Sequence, residues 1–110
     1  MKGFSVVVLD SAEQGLKELR TYILKNFSID TWRISYANIK EAIRNLQNLP
    51  QTAFIPEEVE KLNLTQYRQI LSGMNRIIYE VRQDVIYIHI VVDARRDMSA
   101  LLTRRLLRIN

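Results

Sequence analysis

The stretch from Asn75 to Asp97, NRIIYEVRQDVIYIHIVVDARRD, leaves this chain few ways to fold. Two runs rich in β-branched and aromatic residues, Met74 to Val81 and Val85 to Val92, flank the polar Arg82, Gln83 and Asp84. Runs of that kind on either side of a short polar break form a β-hairpin. With Gln83 and Asp84 as the loop, Arg82 stands opposite Val85, Val81 opposite Ile86, Tyr79 opposite Ile88 and Ile77 opposite Ile90. A four-residue loop from Arg82 to Val85 keeps the same pairs, so the register does not depend on the turn type. One face then carries Ile77, Tyr79, Val81, Ile86, Ile88, Ile90 and Val92 and must be covered. The other carries Arg76, Ile78, Glu80, Tyr87, His89, Val91 and, if the strand runs on, Arg95. Any function on the hairpin is expected on this mixed face.

The remaining segments supply what covers the apolar face. Phe4 to Leu9 (FSVVVL) has the length and composition of a buried strand. Ser11 followed three residues later by Gln14 has the form of a capping box, which predicts a helix from Ala12. Ala12, Leu16, Leu19 and Ile23 recur at helical spacing and give it one apolar stripe, while Gly15 costs it up to ~1 kcal/mol relative to alanine. After a break at Asn26 to Ser28, Asp30 is the expected cap of a second helix running from Thr31 to about Gln47. Its Trp32, Tyr36, Ile39, Ile43 and Leu46 form the seam of an antiparallel helical hairpin, so the two aromatics are read as core or interface and not as a nucleic-acid platform.

Pro50 stops that helix, and a helical turn from Pro56 to Lys61 is expected beyond it. Glu57, Glu58 and Glu60 lie there without a histidine or aspartate beside them, and are read as solvated carboxylates rather than a metal site. Tyr67 to Leu71 is a third strand, turned by Ser72 and Gly73 into the main hairpin, and Asp97 or Ser99 caps a short helix from Met98 to Leu107. The predicted fold is α+β: a small twisted antiparallel sheet of about four strands, a two-helix hairpin on one face and a short C-terminal helix. At 110 residues this is expected to be a single domain, residues 1–110.

Composition excludes several function classes. The chain has no cysteine and one histidine, so a disulfide framework, a thiolate centre or a histidine-rich metal site is ruled out. No bound cofactor or metal is expected. No signal-type leader or membrane-length apolar run is apparent, so a cytoplasmic location is expected. Charge is concentrated at one end. Residues 95–110 hold Arg95, Arg96, Arg104, Arg105 and Arg108 against Asp97, a surplus equal to the whole formal net charge of +4. An acidic partner would be steered there.

No phosphate loop, GxSxG or HExxH motif is present. The remaining catalytic option is RNA cleavage, which needs a base, an acid and cations for the phosphorane charge. Arg76, His89, Arg95 and Arg68 are the residues that could share one sheet face for it, and His89 alone titrates near neutrality. His89, between Ile88 and Ile90, is read first as a packed structural histidine, and the face suits binding better than turnover.

The chain resembles the RelE/ParE toxins of type II toxin–antitoxin modules. The resemblance rests on the strand leading through Ser11-Ala12-Glu13 into a long helical hairpin, the Leu49-Pro50 break, and above all YRQILSGMNRIIYEVRQDVIYIHIVVDARRDM. It implies a twisted sheet with two helices on one face and a cognate antitoxin as partner. RelE-type members cut messenger RNA on the ribosome, whereas ParE-type members are not nucleases and poison DNA gyrase. Arg68, Arg76 and Arg95 match cationic positions of the nuclease branch, but Ile70 stands where a lysine is expected and Leu101 near where a tyrosine is. Loss of two proton-transfer groups favours the ParE branch. The resemblance thus implies gyrase as the target, with a RelE-like ribosome-dependent messenger endonuclease as the alternative. The arginines from Arg95 to Arg108 are the expected target contact.

Overall fold

The computed structural model describes residues 4–48, 55, 61 and 66–94. Their order is β1 (Ser5–Val8), α1 (Asp10–Asn26), α2 (Ile29–Leu46), β2 (Tyr67–Ser72), β3 (Asn75–Arg82) and β4 (Val85–Asp93). The four strands form one sheet in the order β1-β4-β3-β2. β2, β3 and β4 make the expected antiparallel meander, while β1 joins β4 in parallel and makes the sheet mixed. The helical hairpin packs on one face. Ala12, Leu19 and Ile23 of α1 and Ile39 and Leu46 of α2 close over Ile77, Tyr79, Ile86, Ile88 and Val91 of the sheet.

β1 departs from the sequence reading in burial as well as direction. It is an edge strand, with Val7 41% and Val8 36% exposed. An apolar run was expected to be covered on both faces, but at the end of the sheet Val6 alone of its valines packs on the core. Leu9 leaves β1 directly into α1. Its N–H donates to the Ile88 carbonyl and its own carbonyl accepts from the N–H groups of Ala12 and Glu13. α1 therefore begins at Asp10 rather than Ala12, and no side chain caps it. Ser11 falls inside the first turn, where its hydroxyl cannot act as a cap; it donates instead to the His89 carbonyl at 2.6 Å.

α2 begins at Ile29, two residues earlier than Asp30 suggested. Ser28 is extended and its Oγ accepts the Thr31 N–H at 3.1 Å, so the serine is the cap and Asp30 lies in the first turn beside Arg33. The far end of α2 is tied to the sheet edge, with the Gln47 amide donating to the Phe4 carbonyl at 2.7 Å. Along α2, Trp32 and Tyr36 stack at 5.2 Å, Ile39 and Leu46 are buried, and Ile43 packs against the core.

The hairpin register holds from Arg82–Val85 through Tyr79–Ile88 and then slips by one residue. Ile78 pairs with Ile90 and Ile77 with Val91, leaving His89 as an extra residue in a β-bulge. The slip reverses the faces beyond it: Val91 turns onto the helical core, while Ile90 and Val92 turn to the opposite side. Strict alternation had given the reverse assignment. Both hairpin loops have two residues with the first at positive φ, Gly73 (59°) before Met74 and Gln83 (55°) before Asp84. Ser72 remains in β2, so the first turn lies one residue later than expected. The helical turn from Pro56 to Lys61 and the helix from Met98 to Leu107 lie largely or wholly outside the described residues.

Candidate functional site

The sheet face turned away from the helical hairpin carries Tyr67 and Gln69 of β2, Arg76, Ile78, Glu80 and Arg82 of β3, and Tyr87, His89, Ile90 and Val92 of β4. This face was expected to be open. Ile78 and Ile90 are fully buried on it, and most of its polar groups are enclosed with them. Such groups are tolerated only when hydrogen-bonded, and the pairing is visible. Arg76 Nε donates to Gln69 Oε1 at 2.6 Å. Glu80 takes Arg82 Nε on one carboxylate oxygen at 2.9 Å and faces His89 Nε2 with the other at 3.0 Å. Arg82 extends over the Tyr87 ring, 5.3 Å from its centre, and the His89 ring stands edge-on to Tyr67 at 4.9 Å.

Burial opposes charge throughout this cluster. It lowers the affinity of His89 for a proton, outweighing the attraction of Glu80. Burial also raises the Tyr67 phenol, with the Glu80 carboxylate adding to the effect. The same cost acts upward on Glu80, but hydrogen bonds from Arg82 and His89 outweigh it and hold the carboxyl below its ordinary range. The cluster is thus a neutral histidine, a neutral phenol and an ionised carboxylate answered by Arg82.

Of the residues proposed for RNA cleavage, the described three, Arg68, Arg76 and His89, do not assemble into a site. Arg68 pairs in register with Tyr79, on the helical side of the sheet, and its charge acts on the Tyr79 phenol. Arg76 and His89 do share the opposite face, but they are 9% and 2% exposed and engaged with Gln69 and Glu80. Arg95 lies outside the described residues, as do Arg96, Arg104, Arg105, Arg108 and Leu101. The expected union of Arg68 with Arg76 and His89 on one face is therefore corrected by the β2 register. The Glu80–His89–Tyr67 contact was not legible in the sequence, since it depends on the bulge at His89 and on the pairing of β2 with β3.

Elsewhere, a groove of about 230 Å³ lies between the end of α1, the start of α2 and the β2–β3 loop, lined by Tyr22, Phe27, Thr31, Ser35, Met74 and Asn75 among others. Phe27, Met74 and nearby Ile29 are exposed. Among the described residues no helix is long and apolar enough to cross a membrane.

The sequence model for the ParE toxin of type II toxin–antitoxin systems (parDE) matches residues 6–98. The chain belongs to the ParE toxin family. A solved structure described as the chromosomal ParDE TA system from P. aeruginosa matches with a TM-score of 0.68 at 17% identity, covering 82% of this chain and 95% of that one. That likeness supports the fold. No curated protein matches the sequence. Membership in the ParE family implies an antitoxin partner.

Proposed function

We propose that this ParE-family chain is the toxin of a cytoplasmic type II toxin–antitoxin pair, that it inhibits DNA gyrase and so blocks replication and growth, and that its cognate antitoxin neutralises it by binding. One observation carries the choice of gyrase over messenger RNA: among the described residues, Arg68 lies on one sheet face while Arg76 and His89 lie on the other, buried in internal pairs. A phosphorane needs exposed cations and a proton carrier converging within hydrogen-bond reach of one phosphate. Neither the Arg76–Gln69 pair nor the Glu80–His89 pair offers that.

The target contact is assigned to the arginine-rich end, Arg95, Arg96, Arg104, Arg105 and Arg108, because it holds the entire charge surplus of the chain. The exposed apolar side chains of the helical hairpin, Phe27, Ile29 and Ile34, suit an antitoxin segment that folds as it binds. The test is expression with and without the neighbouring antitoxin gene. Without it, cells should stop dividing and accumulate gyrase-bound broken DNA, with no codon-phased cuts in messenger RNA by primer extension. Codon-phased cuts without broken DNA would reverse the assignment.

A further inference from the structure

His89 is the residue that the bulge leaves without a partner across the ladder, and it is the single histidine of the chain. Its imidazole is flanked by Glu80 of the adjacent β3 at 3.0 Å and by the Tyr67 ring of β2, the strand beyond it, at 4.9 Å. Glu80 is ionised and already accepts from Arg82, so Nε2 of His89 is the protonated nitrogen that donates to it. Nδ1 is left with a lone pair and has no hydrogen-bond partner among the described residues. A proton added there would create a buried donor without an acceptor and a buried positive charge. The surrounding backbone is fastened. The His89 carbonyl is held by Ser11 Oγ at 2.6 Å, and the Ile88 carbonyl by the Leu9 N–H at 3.0 Å.

We propose that His89 is a proton-sensitive switch built into the sheet: the bulge closes around a neutral imidazole, and uptake of one proton opens it and loosens the β1–α1 turn fastened to it. Among the described residues, the titratable and charged groups facing the ring are Glu80 and Arg82 on β3 and Tyr67 on β2. Glu80 favours the proton and Arg82 opposes it, while Tyr67 stays neutral. From α1, Ser11 meets the bulge through an uncharged hydroxyl.

The direction follows from burial, which leaves the folded chain holding this proton more weakly than the unfolded chain. The stability contributed by neutral His89 is fully present above its unfolded value of about 6.5 and is lost as pH falls through the interval below it. The folded-to-unfolded ratio then drops by up to about tenfold per pH unit. Glu80, also depressed, begins to lose its contribution only below the ordinary carboxyl range, at more acid pH than the point where the loss from His89 begins.

The full chain carries its own reporter, because one imidazole gives one histidine signal by NMR. We expect that signal in the folded protein to titrate with a midpoint below pH 6.5, while denaturation shows the ratio falling as pH drops below 6.5 and amide exchange at Leu9 rises beyond its intrinsic pH dependence. His89→Gln, which can still donate to Glu80 but does not titrate, should flatten both responses. Glu80→Gln, which removes the attraction for the proton, should move the imidazole titration to still lower pH and serves if the glutamine variant does not fold. An imidazole that titrates at or above pH 6.5 while folded, an unchanged acid response in His89→Gln, or an unmoved titration in Glu80→Gln would overturn the switch.

Discussion

Ser11 Oγ donates to the carbonyl oxygen of His89 at 2.6 Å, joining the first turn of α1 to the bulge in β4 across 78 positions of sequence. The hydroxyl that resembles half of a capping box thus fastens a helix to a sheet. Ser11→Ala should destabilise the fold by about 1–2 kcal/mol, the usual cost of leaving a partly buried carbonyl without its donor. Gln14→Ala, at the exposed position that a capping box would need, should change stability by less than about 0.5 kcal/mol. Urea denaturation of the two variants distinguishes the clasp from the cap, since a capping box would make both costly.

A parallel comparison applies at the second helix. Ser28 accepts the Thr31 N–H at 3.1 Å, whereas Asp30 forms a loose, exposed pair with Arg33 at 3.7 Å. Ser28→Ala should cost about 1 kcal/mol and Asp30→Ala less than half of that by denaturation.

The Arg76–Gln69 pair is assigned a structural role. Arg76→Ala removes a hydrogen bond to a charged group and leaves Gln69 buried without its partner, which should cost about 1.5–3 kcal/mol. The accompanying loss of toxicity should be recovered by lowering the temperature. A variant as stable as the parent chain but inactive at every temperature would return Arg76 to the active residues.

Gln83 stands at φ 55° as the first residue of the β3–β4 loop, a backbone region that costs a side-chain-bearing residue about 1–2 kcal/mol. Glycine escapes that strain but loses part of the gain to its greater freedom when unfolded. Gln83→Gly should therefore raise the denaturation free energy by about 0.5–1 kcal/mol, with unchanged cooperativity.

The elements themselves were legible in the sequence because each carries a local signal. The Ala12–Leu19–Ile23 stripe, the Ile39–Leu46 seam and the alternation about Gln83–Asp84 all reappear. What escaped depends on neighbours distant in sequence. The bulge at His89 has no composition signal of its own; Ser11 and Leu9 meet it from the far end of the chain. Without the bulge, alternation sends Ile90 to the core and Val91 away, which is the reverse of the structure. Likewise FSVVVL reads as a buried strand, and only the sheet order makes it an edge. The site reading failed at Arg68 for a related reason: its face is set by pairing with Tyr79, which the isolated YRQIL run does not reveal.

The gyrase claim is tested most directly by adding the purified chain to purified gyrase, plasmid DNA and ATP, and quantifying supercoiling and cleaved DNA, with the Arg95→Ala/Arg96→Ala chain as control. The account predicts loss of supercoiling with accumulation of cleaved plasmid, reversal by the antitoxin, and at least a tenfold loss of potency in the control with its denaturation midpoint unchanged. Undiminished supercoiling with no cleaved DNA at saturating toxin, or full potency in the double variant, would contradict it.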